Sequence, residues 1–83
     1  MIAMKPEEWS EVGAILERMA QDHYDPELYF DYNPRDDELT EAWIVRLYPG
    51  GRRAELYVGE TPLEAARKAH QATYGEIYVQ ELG

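Results

Sequence analysis

By residue type, the groups best suited to chemistry in this chain are the acidic run Asp36-Asp37-Glu38, with Asp31 and Glu41 close by, and the two histidines His23 and His70. Clustered carboxylates offer hard oxygen ligands to a divalent cation, but this run lacks the ligand spacing and the turn glycine of a calcium loop. It reads as a solvated loop between strands. Neither histidine has a metal-ligand partner at helical spacing, so each is expected on a helix surface or at a helix end. Ser10 is the sole serine, and it falls in the first turns of a helix with no neighbouring histidine to serve as its base. Glutamates are plentiful, yet a general acid needs one carboxyl with a raised pKa in a pocket, and no motif marks one. These residues lead to the expectation of a protein that is not an enzyme and that uses neither metal nor cofactor.

Charge says more. Up to Glu41 there are twelve carboxylates against Lys5, Arg18 and Arg35, whereas from Ala42 onward five acids meet five bases, so the net charge of −9 resides in the first half. A negative lobe of that size repels nucleic acid and membrane surfaces and attracts basic proteins. Glu7, Glu8, Glu11, Asp22, Asp36, Asp37, Glu38 and Glu41 are the candidate carboxylates for such a partner.

Eighty-three residues without cysteine make one domain, 1–83, whose apolar core must hold it without disulfides or a thiolate metal site. Residues 1–6 are too short for a signal peptide's apolar region, and no apolar run approaches membrane-spanning length. A soluble protein of a reducing, cytoplasmic compartment is expected.

The elements follow from spacing. Pro6, with Glu7 and Glu8 beside it, suits the first turn of a helix. Trp9, Val12, Leu16, Met19 and His23 then recur at intervals of three and four beside Ile15, until Asp25-Pro26 ends the pattern. Leu28, Phe30 and Tyr32 alternate as in a half-buried strand, and Ala42 to Tyr48 alternates again. Pro49-Gly50-Gly51-Arg52 is a turn leading to a third strand, Arg53 to Val58, with Ala54, Leu56 and Val58 expected inward. Thr61-Pro62-Leu63-Glu64 is a capping-box start to a second helix, which Gly75 would end. Residues 76–82 alternate weakly and could form a fourth strand.

The fold class expected is therefore α+β: helix, three-stranded antiparallel meander, helix, with both helices on one sheet face. That face would carry Phe30, Trp43, Val45, Leu47, Leu56 and Val58. The opposite face would stay open and carry Tyr29, Ile44, Arg46, Tyr48, Arg53 and Tyr57. Tyrosine and arginine anchor interfaces because they bury large areas at modest entropic cost. Tyr29, Ile44, Arg46, Tyr48 and Tyr57 are thus a second candidate surface, for a partner, a homodimer or a stacked small ligand. Ordinary cross-strand pairing on a solvated face is the competing explanation.

The stretch Trp43-Ile44-Val45-Arg46-Leu47, followed by the run from Gly59 through Thr61-Pro62-Leu63-Glu64-Ala65 to Ala69, resembles small phage proteins of the "ABA sandwich" type. The resemblance implies a mobile-element origin and carries no catalytic residues. The order of elements is also that of double-stranded RNA-binding domains, whose phosphate contacts need lysine and arginine; the charge here has the opposite sign, and direct nucleic-acid binding is not expected. The function expected is a small acidic interaction protein that inhibits a host nucleic-acid-binding factor by occupying its basic surface. Anti-CRISPR and anti-restriction proteins act in this general way. A nucleotide-binding module using the tyrosine face, or a phage structural component, are the alternatives.

Overall fold

The computed structural model describes residues 4–51 and 53–75. The first helix, α1, spans Pro6–Gln21, with Pro6 at its first position and Glu7 and Glu8 in its first turn. Glu8 Oε1 reaches back to accept a hydrogen bond from the Lys5 N–H at 3.0 Å, which satisfies one amide that the helix leaves unpaired. Past Gln21 the chain reverses through His23 (φ +65°) and Asp25 (φ +50°), residue types that tolerate the left-handed region. His23 is exposed there, just beyond the helix.

Three strands follow, β1 (Glu27–Tyr32), β2 (Glu41–Leu47) and β3 (Glu55–Gly59), in one antiparallel sheet of order β1-β2-β3. A short 3-10 turn, Pro49–Gly51, opens the β2–β3 connection, and Gly50 supplies its positive φ of 58°. The second helix, α2, spans Pro62–Tyr74. Thr61 Oγ1 accepts from the Glu64 N–H at 3.1 Å, and Gly75, left-handed at φ +71°, closes the helix. The α+β order of helix, meander and helix is as the spacing predicts. The expected fourth strand, 76–82, and Arg52 lie outside the described residues.

The core lies between one sheet face and the two helices. Val12, Ile15 and Met19 of α1 meet Ala65, Ala66 and Ala69 of α2 and Val45 and Leu47 of β2. The alanines let α2 approach the sheet closely. The buried side of α1 is centred on Val12, Ile15 and Met19, so Trp9, well round the helix from that centre, is 46% exposed although it was expected in the apolar stripe.

The facing of β3 differs from expectation. Val45 is opposite Tyr57, Trp43 opposite Gly59 and Leu47 opposite Glu55, so Tyr57 faces the helices while Leu56 and Val58 join Ile44 and Arg46 on the other side. Strand facing alternates residue by residue, and the connection from Tyr48 to Ala54 has the parity that turns Tyr57 inward. Gly59 shows why this parity suits the helices. A Cβ there would lie 2.5 Å from the Ala65 backbone nitrogen, so only a residue without a side chain fits beneath the start of α2.

Side-chain links fix the direction of α1. Arg67 Nε donates to Glu11 Oε2 at 2.5 Å, Arg18 Nη1 bonds His70 Nε2 at 3.0 Å, and the Tyr74 hydroxyl donates to Asp22 Oδ2 at 2.5 Å. Both chain numbers rise together, so the helices run side by side in the same direction. The Tyr48 N–H donates to the Tyr24 carbonyl, which holds the C-terminal end of α1 beside the end of β2. The N-termini of both helices therefore share one end of the domain with the loop from β1 to β2.

Candidate functional site

That shared end is where the sequence-predicted carboxylates must be sorted. Glu7 is exposed in the first turn of α1, and Asp37, Glu38 and Glu41 are exposed on or beside the β1–β2 loop. Glu8 is engaged at the helix cap. The loop itself is ordered by two successive side-chain turns: Asn33 Oδ1 accepts from the Arg35 N–H, and Asp36 Oδ1 accepts from the Glu38 N–H, both at 2.9 Å. Hydrogen bonds from the Thr40 side chain, and then from the Glu38 backbone, hold the Asp36 carboxyl below its ordinary pKa. Asp36 thus shapes the loop, and Leu39 completes it in a left-handed conformation (φ +58°), with its side chain 66% exposed.

Two of the eight carboxylates do not belong to this surface. Glu11 is buried beneath α2 in a bidentate pair with Arg67. Asp22 lies at the opposite end, bound by Tyr74. Their partners stand 56 and 52 residues away in the chain, out of reach of any local pattern. Glu60, at the junction of β3 and α2, is exposed at the shared end and was not among the candidates.

The same end carries the exposed apolar side chains. Trp9, Phe30, Tyr32 and Leu39 are 46%, 48%, 54% and 66% exposed. Phe30 packs on Trp43 with ring centroids 5.1 Å apart and planes tilted by 51°. Beside them is a cleft of about 550 Å³ lined by Phe30, Thr40, Glu41, Trp43, Glu60, Thr61 and Pro62. Phe30 and Trp43 do face the helix side of the sheet as expected; Trp43 is half-buried against the edge of the core, and Phe30, on the neighbouring strand, is 48% exposed. The sequence signal was the adjacency of aromatic and acidic residues in Phe30-Asp31 and Glu41-Ala42-Trp43; only the strand register brings these pairs together with Glu60 and Pro62.

The tyrosine face is less open than expected. Ile44, between its cross-strand neighbours Tyr29 and Val58, is buried, and so is Ala42. Arg46 bonds Glu27, and its guanidinium lies over the rings of Tyr29 and Tyr48, 5.2 and 5.8 Å from their centroids. This cation occupies the ring faces that a stacked ligand would use. Tyr57 is not part of this surface: it faces the helices, and its hydroxyl donates to Glu55 Oε2 at 2.5 Å.

His70 is buried, not a surface residue. Arginine can only donate, so Nε2 of His70 accepts from Arg18. Arg18 also covers the Tyr74 ring at 3.8 Å, which ties the C-terminal ends of both helices together. The bases of the second half also have internal roles. Lys68 Nζ pairs with Glu64 and donates to the Val58 carbonyl at 2.8 Å, and Arg35, from the first half, likewise donates from Nη2 to the Leu56 carbonyl at 3.4 Å. These side chains cap the outward carbonyls of β3, an edge strand in the described sheet.

Among the described residues no group of three metal-ligating side chains converges, and no helix is long and apolar enough to cross a membrane. Comparison with protein-family models, curated proteins and solved structures finds no significant match to this chain.

Proposed function

We propose that this chain is a non-enzymatic interaction protein that meets a basic protein surface with its acidic, aromatic end. The observation supporting this reading is the gathering of Glu7, Asp37, Glu38, Glu41 and Glu60 with the exposed side chains of Trp9, Phe30 and Tyr32 at one end of a small fold. Exposed apolar side chains rimmed by charge are what partner-binding surfaces have in common, and the carboxylates select a basic partner by steering its approach. A basic surface of this kind is one that binds nucleic-acid phosphates, so the chain would act as an inhibitor of a host nucleic-acid-binding factor in the cytoplasm. The stretches resembling phage "ABA sandwich" proteins support a mobile-element origin. No direct nucleic-acid contact is part of this reading.

The test is capture of a partner from a host lysate, followed by association kinetics with the parent and with a Glu7→Lys, Asp37→Lys, Glu38→Lys variant. These three side chains are exposed, so the fold should survive. Association with the variant should be much slower at low salt, where the Debye length is about 30 Å at 0.01 M, and closer to the parent's at physiological salt, where it is about 8 Å. A partner whose association rate is the same with both proteins at low salt would refute the reading.

A further inference from the structure

Three tyrosine rings elsewhere in this fold lie under arginines of the same chain. Arg46 lies over Tyr29 and Tyr48, and Arg18 lies 3.8 Å from the centroid of Tyr74. The Phe30–Trp43 pair differs. Its cleft carries two carboxylates, Glu41 and Glu60, and no lysine or arginine lines it among the described residues. Phe30 is nearly half exposed, and the rings are tilted by 51°, so their faces are presented at an angle to one another.

We propose that this cleft is a subsite for an arginine side chain of the basic partner. The proposal rests on the reading that this end of the domain meets a basic protein, and it specifies which side chain that protein inserts. The ring faces bear the negative lobe of the π quadrupole, with tryptophan the strongest, and attract a cation laid over them. A carboxylate at the rim can receive the guanidinium edge through two parallel hydrogen bonds. Arginine suits both demands because its guanidinium is planar, weakly hydrated and forked, whereas the lysine ammonium is a compact and strongly hydrated point charge. An aliphatic anchor would offer Glu41 and Glu60 no hydrogen-bond donor. The volume of about 550 Å³ is ample for one such side chain and the backbone that carries it.

The test uses the full chain with fluorescent oligo-arginine and oligo-lysine peptides of equal length and charge, with anisotropy read at physiological salt. The arginine peptide should bind about 2- to 30-fold more tightly. Phe30→Leu keeps an apolar side chain at a half-exposed position and leaves Trp43 in place, so it should reduce that preference, while circular dichroism verifies the fold. Glu41→Gln with Glu60→Gln should weaken the arginine peptide more than the lysine peptide. With only two tryptophans in the chain, a Trp9→Phe variant leaves one indole N–H resonance, that of Trp43, which should shift with the arginine peptide. Equal affinity for the two peptides, or a preference unchanged by Phe30→Leu, would overturn the subsite. If affinities are equal and fall in the Glu7, Asp37, Glu38 lysine variant, the acidic-end reading stands and only the arginine subsite fails. If neither peptide's binding depends on those three carboxylates, both fail.

Discussion

Gly59→Ala adds one methyl group where the fold has no room for it. Gly59 is opposite Trp43 in the strand register, on the face turned to the helices. A Cβ at this position would stand 2.5 Å from the Ala65 backbone nitrogen and 2.9 Å from Glu64 Cβ. Ordinary contacts between such atoms are near 3.5 Å or longer, so the start of α2 must retreat by about 1 Å. The obstacle is backbone, which no change of rotamer can relieve. Overpacking of this kind costs about 1–3 kcal/mol, and the upper half of that range is expected here. For a domain of this size each kcal/mol moves the melting temperature by about 4–8 °C, so a fall of roughly 10–20 °C follows. Because Thr61 and Pro62 line the Phe30–Trp43 cleft, the displaced helix should also change that cleft. The control is the same substitution at Gly13, within α1, where an added Cβ meets nothing within 4 Å. There alanine should stabilise by about 0.5–1 kcal/mol, since glycine is the poorer helix former. Thermal and urea melts of both variants decide the matter. If Gly59→Ala melts with the parent, the packing of α2 on β3 has been misread.

Two further predictions concern facing and pH. Trp43→Ala should cost about 3 kcal/mol, the low end for a large aromatic because the side chain is only partly buried, while Leu56→Ala, on the face away from the helices, should cost about 1 kcal/mol; chemical denaturation that ranks them the other way would restore the inward assignment of Leu56. Burial first, and then the hydrogen bond to Glu55, push the Tyr57 phenol up to about 12 from its ordinary 10, and burial and Asp22 push Tyr74 up as well. The unfolded chain therefore loses these protons first, so both contributions are fully present below pH 10; that of Tyr57 is lost as pH rises through about 12, and that of Tyr74 at higher pH still. Urea midpoints across that window should fall more gently in a Tyr57→Phe, Tyr74→Phe variant, and an equally steep fall would refute the assignment.

Helix boundaries were legible because capping is local chemistry. Pro6 with its two glutamates, Thr61-Pro62 and Gly75 each act within a few residues, and each sits where the spacing put it. The order of strands was legible because alternation and the proline-glycine turn are also local. The facing of β3 was not, since it depends on the parity of a seven-residue connection and on where α2 lands. The fates of Glu11, Asp22 and His70 were hidden for a related reason. Each is decided by a partner 52 to 56 residues away, and a sequence pattern that looks like a surface carboxylate or a surface histidine is unchanged by such a partner. The candidate site was half legible: its charge could be counted, but its aromatic component could not be told from core until the register and helix cover were known.

The pairing inside the fold changes what the charge count means. The second half sums to zero on paper, yet Arg67 is held by Glu11, Lys68 by Glu64 and the Val58 carbonyl, and Arg46 by Glu27. Glu11 and Glu27 come from the acidic first half, so these contacts draw cations across the chain into structural roles. Glu7, Asp37, Glu38, Glu41 and Glu60 remain exposed at the end where the helix N-termini lie. Helix N-termini contribute only about half a positive charge each, too little to cancel five carboxylates. These exposed carboxylates lie at the same end as the exposed rings of Trp9, Phe30 and Tyr32. On the proposed reading, a basic partner would be oriented by charge at about one Debye length and would meet the ring faces only on contact, so the two features would act at successive distances along the same approach.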